Sequence, residues 1–200
     1  METEHRPLRA DARRNRDRLL QVAREAFAAD GLSVSLDEIA RRAGVGPGTL
    51  YRHFPTKETL FESVIHERLD PLLAEARALR HADDAGAALF KFIERLAVDA
   101  STKTDLIDAI ASTRADMQAS VAAMTAALRD EIGHLLVRAQ DGGEVRGDID
   151  TADLMAVLTG TLLSLRHLAH HDADPTRVLA ILRDGLRSPD FSPQGEAPRS

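Results

Sequence analysis

The chain has 200 residues, of which 44% are hydrophobic and 29% charged, a composition typical of one or two globular domains. The absence of cysteine excludes disulfides, thiolate nucleophiles and thiolate metal sites, and the net charge of −6 argues, as a total, against a nucleic-acid partner. The charge is uneven, however, because residues 1–60 carry 11 Lys and Arg against 9 Asp and Glu, whereas residues 61–200 carry 15 against 23.

Two further features of the composition indicate the fold class and the compartment. Aromatic residues are scarce at 4% and helix-favouring residues dominate, so we expect an all-α protein. The chain has no run of about 18 uncharged apolar residues, and its first residues lack the apolar core of a signal peptide. We therefore expect a cytoplasmic protein with no membrane partner.

The first two helices are predicted from apolar spacing and from their end signals. Residues 13–29 place apolar side chains at helical intervals, and Gly31 ends this helix. Ser35 followed by Glu38 three residues later is a capping-box pattern, which predicts a short second helix over residues 36–43.

The segment GVGPG, residues 44–48, admits two interpretations. It could be a phosphate-binding loop, but such a loop follows a buried strand, and here a capped helix precedes it. Alternatively Gly44 ends the second helix, Pro47 opens a third, and Leu50 and Phe54 face a small core. This second interpretation explains more residues and predicts a helix-turn-helix over residues 35–54.

The rest of the chain is predicted to be helical. A helix from residue 57 to about 80 is interrupted at Pro71, which either kinks it or opens a fresh helix capped by Asp70. Further helices are predicted at residues 85–101, 103–117, 119–140, 151–171 and 175–187.

The stretch SLDEIARRAGVGPGTLYRHFPTKETLF resembles the DNA-binding segment of the TetR (tetracycline-repressor) family of bacterial transcriptional regulators. This resemblance implies an N-terminal three-helix DNA-binding domain, joined by a long fourth helix to a helical ligand-binding and dimerisation domain. On this basis we assign a flexible basic arm, a DNA-binding domain, a regulatory domain and a disordered tail to residues 1–12, 13–60, 61–187 and 188–200.

The resemblance also implies which residues contact DNA. The third helix of the family enters the major groove, and the residues at the matching positions are Gly46, Pro47, Gly48, Thr49, Arg52 and His53. Tyr51 and Lys57 match positions that contact phosphates, and Ser35 and Arg42 at the two ends of the second helix are further candidates for phosphate contacts. The six arginines from Arg6 to Arg18 are either a solvated face or an arm that reaches DNA.

The regulatory domain is expected to form a homodimer and to hold a small-molecule effector. The dimer seam is predicted from small residues that recur every four positions and from the apolar side of the last helix: Ala152, Ala156, Gly160, Ser164, Val178, Leu179 and Leu182. The effector is expected to contact Met117, Met124, Leu128, Leu158 and Leu162, unless these residues form a solid core.

The chain is therefore expected to be a ligand-responsive regulator that binds a palindromic DNA operator, most simply as a repressor, with no catalytic residues, cofactor or metal. One alternative is a constitutive DNA-binding protein that has no effector. Another is a helical metal-dependent enzyme, since His167, His170 and His171 have a spacing that can bind a metal, although a helix C-terminus also favours histidines through its dipole.

Overall fold

The computed structural model describes residues 5–102, 115–168 and 175–189, and all the secondary structure in these ranges is helical apart from one isolated β-bridge. The helices are α1 (His5–Asp30), α2 (Leu36–Ala43), α3 (Pro47–His53), α4 (Lys57–Leu79), α5 (Ala85–Thr102), α6 (Ala115–Asp141), α7 (Thr151–Leu168) and α8 (Pro175–Leu186), with a 3₁₀ turn at Gly31–Ser33. The all-α prediction is confirmed. Among these helices, none combines the length and the apolar composition needed to cross a membrane.

The chain divides into two compact units. The N-terminal unit comprises the described residues of Met1–Asp70 and Thr104–Thr125, and the C-terminal unit comprises those of Pro71–Lys103 and Ala126–Ser200. Within α4 the units divide after Asp70, whereas the sequence-based division was placed after residue 60, and the described residues of Thr104–Thr125, expected in the regulatory domain, group with the N-terminal unit. The helix α4 is continuous through this boundary and contains Pro71, so no fresh helix begins there.

The N-terminal unit has its own hydrophobic core. Its helices α1, α2 and α3 contact one another, and the start of α4 contributes Leu60 and Phe61. Phe27 of α1 meets Phe61 edge-on, with ring centroids 5.4 Å apart. Because Leu50 and Phe54 are also buried in this core, α3 is fixed with its other side exposed.

The C-terminal unit is built around α5, which packs on α7, while α7 in turn packs on α8. Glu131 of α6 is buried and accepts hydrogen bonds from Arg77 and Arg80 near the end of α4. Ala82 lies just after the end of α4, and its carbonyl accepts a hydrogen bond from Arg138 of α6, 2.9 Å away. These bonds hold the C-terminal end of α4 against α6.

The structure differs from the predicted element boundaries at three places. The residues from His5 to 12, expected in a flexible arm, belong to α1. Residues 115–117, expected to end a separate helix, begin α6; the rest of that predicted helix, 103–114, lies outside the described residues. Ser188, expected in a disordered tail, donates its N–H to the carbonyl of Glu144.

Candidate nucleic-acid interface

The start of α2 is capped by one half of the predicted capping box. The Ser35 Oγ accepts a hydrogen bond from the N–H of Glu38, 3.2 Å away. The Glu38 carboxylate, however, accepts from Arg41 at 2.7 Å and Arg42 at 2.8 Å instead of reaching back to Ser35. The hydrogen bonds from Arg41 and then from Arg42 lower the pKa of Glu38 to about 2. Glu38 thus holds the side chains of Arg41 and Arg42 in place at the C-terminal end of α2.

The turn between α2 and α3 has the conformation that its glycines predict. Gly44 has φ 63° and ψ 31°, the left-handed region that a side chain disfavours, and the Val45 N–H bonds back to the Ala40 carbonyl at 3.0 Å. Gly46 then occupies the N-cap of α3 and Pro47 its first turn, as predicted. The turn therefore redirects the chain into α3 without strain.

The side of α3 that faces away from the core is polar and open. Tyr51 and Arg52 are exposed, and Thr49 and His53 are half-buried. A methyl group at either Gly46 or Gly48 would meet no atom within 4 Å. The backbone at the start of α3 is therefore accessible, and another molecule can approach it closely.

Tyr51 is held at the edge of this surface by α2. Its hydroxyl donates a hydrogen bond to Asp37 Oδ1, 3.3 Å away. The negative charge of Asp37, with some desolvation and this hydrogen bond, raises the pKa of the tyrosine hydroxyl. The hydroxyl therefore keeps its proton and can still accept a hydrogen bond from another donor.

Two predicted phosphate contacts are engaged within the protein. The Arg42 guanidinium binds Asp30 at 2.6 Å and Glu38 at 2.8 Å, and the hydrogen bond to Glu38 is the main cause of its raised pKa. The Lys57 ammonium donates to the Leu32 carbonyl, 2.9 Å away. An ammonium has three N–H donors, so Lys57 is positioned by one bond and keeps others for an anion.

Two arginines of α1 that received no individual role in the sequence analysis also border the helix-turn-helix. The guanidinium carbon of Arg16 lies 5.6 Å from the centre of the Phe54 ring, immediately after α3. An Arg18 nitrogen lies 3.7 Å from the position that a Cβ on Gly44 would take. The signal in the sequence was the density of arginine in α1, but without the packing it did not say which of them reach the turn.

The residues predicted to hold an effector fall in both compact units. Met124 packs against the core of the N-terminal unit, whereas Leu158 is almost fully buried in the C-terminal unit. Leu128 and Leu162 are half-buried, and the side chain of Met117 lies outside the described residues. Of the histidines considered as metal ligands, the side chain of His167 and the whole of His170 and His171 also lie outside the described residues.

Most of the residues predicted at the dimer seam lie at the surface of the described chain. Those on α7, which are Ala152, Ala156, Gly160 and Ser164, are all exposed. On α8, Val178 and Leu179 are half-buried and Leu182 is buried. Between the two helices lies a groove of about 390 Å³, to which Val157 and the 65%-exposed Ile181 contribute apolar surface.

A capped helix, a tight glycine turn and a polar, accessible third helix on a compact core define a helix-turn-helix DNA-binding protein. Comparison with known families makes this more specific. Residues 19–64 match the family model described as bacterial regulatory proteins, tetR family, and residues 84–188 match the C-terminal domain of SbtR-like transcriptional regulators. The chain belongs to the TetR family of transcriptional regulators, whose members bind DNA through the first of these domains and ligands through the second.

Solved structures and curated proteins agree with this assignment. The chain is 42% identical to the TetR transcription regulatory protein from Mycobacterium vanbaalenii, covering 90% of this chain and 99% of that one with a TM-score of 0.64. A TetR transcriptional regulator from Streptomyces coelicolor is 31% identical, covering 87% and 99%, with a TM-score of 0.62. A curated HTH-type transcriptional regulator of Staphylococcus aureus strain USA300 is 36% identical over 74 residues, which span 36% of this chain and only 40% of that protein.

Proposed function

We propose that this protein is a homodimeric repressor that binds a palindromic operator through α3 and leaves it when a small-molecule effector binds. The observation that carries the DNA-binding part is the exposed polar side of α3, with Thr49 and Arg52 next to a backbone that nothing in the described chain covers. Thr49 and Arg52 read bases, while Tyr51, Lys57 and the N-cap Ser35 position the protein on phosphates.

The dimer is proposed to form through α7 and α8. Gly160 lies in the middle of α7, where glycine is less favourable than alanine by roughly 1 kcal/mol, and a methyl there would meet nothing within 4 Å. Packing within the described chain therefore does not explain this glycine, whereas close approach of a partner helix does. The exposed side chains of Val157 and Ile181 supply the apolar area that such an interface buries.

The effector is proposed to bind within the C-terminal unit, and the half-buried Leu128 and Leu162 are the predicted contacts that retain free apolar surface. Release follows if the effector prefers the conformation that does not bind DNA, and a tenfold loss of operator affinity needs about 1.4 kcal/mol of such preference. The alternative of a constitutive DNA-binding protein predicts no such coupling.

Thermodynamic linkage between effector binding and operator binding tests this proposal. Compounds that raise the melting temperature of the free protein are selected, and operator affinity is then measured with and without each of them by fluorescence anisotropy. At least one should lower operator affinity, and operator DNA should weaken the binding of that compound by the same factor. Compounds that bind the C-terminal unit tightly but leave operator affinity unchanged would favour the constitutive alternative. Turnover that depends on added zinc would instead favour an enzyme using His167, His170 and His171.

A further inference from the structure

One of the proposed phosphate contacts on α3 already has a partner within the described chain. The Tyr51 hydroxyl donates to Asp37 Oδ1 of α2, 3.3 Å away, and both residues are exposed. Asp37 is the second residue of α2 and lies in its first turn, two residues after the N-cap Ser35. The bond therefore joins the two helices of the motif at the surface that is proposed to meet DNA.

The Tyr51 hydroxyl cannot serve Asp37 and a phosphate at the same time. A tyrosine hydroxyl has one proton, so it donates one hydrogen bond. A phosphate of the DNA backbone offers acceptor oxygens to the protein, as the Asp37 carboxylate does. For Tyr51 to donate to the DNA backbone, its bond to Asp37 must therefore break.

The length of the bond to Asp37 makes this exchange feasible. A hydroxyl donor usually lies about 2.5–3.0 Å from its oxygen acceptor, and a charged acceptor shortens this distance. At 3.3 Å the bond between Tyr51 and Asp37 is longer, and so weaker, than is usual for such a pair. A phosphate oxygen at an ordinary distance can therefore compete with Asp37 for the proton.

Asp37 also opposes DNA through its charge. That negative charge is the main cause of the raised pKa of the Tyr51 hydroxyl, so it acts at the position where a phosphate would bind. A phosphate there would lie close to the carboxylate, and the two negative groups would repel each other. An acid in the first turn of α2 suits the helix dipole, but Glu38 in the same turn also supplies one.

We propose that Asp37 weakens DNA binding by competing with the phosphate backbone for the hydroxyl proton of Tyr51. Asp37 accepts this proton in the free protein, and a phosphate oxygen accepts it in the complex. Because backbone contacts carry no base preference, the effect is the same on operator and on unrelated DNA. Asp37 thus sets the overall affinity of the surface. The inference rests on the proposed function, in which Tyr51 contacts a phosphate.

The test is a double-mutant cycle of Asp37→Ala and Tyr51→Phe, with affinity measured for the operator and for an unrelated duplex of equal length. Asp37→Ala should bind both duplexes more tightly than wild type by the same factor, roughly twofold to tenfold, which is the range of one net hydrogen bond. In the Tyr51→Phe background this gain should shrink, because no hydroxyl remains to be released. Asp37→Asn, which keeps the shape of the side chain, should show a gain in the same direction.

Glu25→Gln is the matched control for charge. Glu25 is an exposed acid of α1 whose carboxylate accepts a hydrogen bond from Gln21, 3.3 Å away, and not from a residue of α3. Its substitution also removes one negative charge from the N-terminal unit. Affinity for both duplexes should stay close to that of wild type.

The hydroxyl can also be observed directly, because the chain has one tyrosine and no tryptophan. In the free protein, titration of tyrosinate absorbance should give a pKa above that of an ordinary tyrosine, and Asp37→Ala should lower it. The NMR signal of isotope-labelled Tyr51 Cζ should differ between free wild type and free Asp37→Ala. In their complexes with the operator the two signals should nearly coincide, since a phosphate accepts the proton in both.

Three results would overturn the inference while leaving operator recognition intact. The first is equal or weaker DNA binding by Asp37→Ala, and the second is a gain of the same size with and without the Tyr51 hydroxyl. The third is a pair of Cζ signals that differ as much in the complexes as in the free proteins, because Asp37 would then keep the proton on DNA. If wild type bound operator and unrelated DNA equally well, the proposed function would fail, whereas the cycle on the unrelated duplex would still test Asp37.

Discussion

At the scale of single residues, the glycines of this chain serve different purposes. A Cβ placed on Gly86 in the first turn of α5 would fall 1.7 Å from Glu144 Oε2 and 2.9 Å from Glu144 Cβ. That carboxylate oxygen is buried and has no hydrogen-bond partner among the described residues. A Cβ on Gly48 in α3, by contrast, would meet nothing within 4 Å. Packing within the described chain thus accounts for Gly86 but not for Gly48.

Gly86→Ala should therefore destabilise the protein, by about 1–3 kcal/mol, because the new methyl group occupies space that Glu144 fills. Adding Glu144→Ala should recover part of the loss, since it removes the carboxylate but not the Cβ. Urea unfolding of the two single variants and the double variant measures this coupling. Additive effects of the two substitutions would show that Glu144 does not occupy this space.

Gly48→Ala should leave the free protein as stable as wild type or slightly more stable, because alanine is the better helix former by roughly 1 kcal/mol and the methyl has room. Its operator affinity should fall, since the methyl would lie between the start of α3 and the DNA backbone. Thermal unfolding and an anisotropy titration of the same sample provide the two measurements. Unchanged affinity would mean that DNA does not approach α3 at this residue.

At the scale of elements, α2 is ordered by charges as well as by its cap. Hydrogen bonds from Arg41 and Arg42 hold the pKa of Glu38 at about 2, below its ordinary value of 4.5. Because the folded-state pKa is lowered, the contribution of these bonds is complete above pH about 4.5 and is lost as the pH falls towards 2. The Glu38 side chain is only 30% exposed, but it is open enough to solvent for salt to screen part of this contribution.

An NMR titration of the Glu38 carboxyl carbon should therefore show a midpoint near pH 2 at low salt. Arg41→Ala should move that midpoint towards 4.5, because it removes the largest cause of the lowered pKa. A midpoint already near 4.5 in the wild-type protein would contradict the observed bonds between Glu38 and the two arginines.

The end signals of α2 and α3 could be predicted from sequence because they act over a few residues. A serine cap, a glycine in the left-handed region and a proline in the first turn each act through their own backbone, so Ser35, Gly44 and Pro47 were assigned correctly. The other hydrogen bond of the predicted capping box, from the Ser35 N–H to the Glu38 carboxylate, is not formed. The carboxylate of Glu38 binds nearby guanidinium groups instead of the Ser35 N–H, and a two-residue pattern does not include that competition.

Features that depend on tertiary contacts could not be predicted from patterns in the sequence. The early start of α1 was missed because its first residues carry no apolar stripe and no clear cap. Met124 packs on the core of the N-terminal unit, which its apolar side chain and its place on α6, a helix that passes from one unit to the other, did not indicate. The internal partners of Arg42 and Lys57 likewise come from residues that are distant in the sequence.

At the scale of the whole molecule, the proposed homodimer is what would suit the fold to a palindromic operator. Two copies related by a two-fold axis present two α3 helices, and this symmetry requires an inverted repeat in the DNA. A helix-turn-helix contacts a few base pairs alone, so the second copy supplies much of the specificity. The exposed small residues of α7 are the proposed seam.

Gly160→Trp should therefore convert the dimer to a monomer and lower operator affinity, because an indole at that position prevents close approach of the partner helix. Ala78→Trp is the control, since Ala78 is an exposed small residue on α4, outside the proposed seam. Analytical ultracentrifugation at micromolar concentration measures the mass of each variant. A wild-type protein that sediments as a monomer would rule out this dimer.

The central claim is that α3 reads a specific DNA sequence, and selection of binding sites from random duplex DNA tests it most directly. Wild-type protein should enrich an inverted repeat whose half-sites lie about one helical turn, or a multiple of it, apart. Thr49→Ala and Arg52→Ala should each relax the preference at particular base positions, whereas Lys57→Ala should weaken binding to all sequences alike. Enrichment of no sequence by the wild-type protein, or an unchanged consensus for both α3 variants, would contradict the claim.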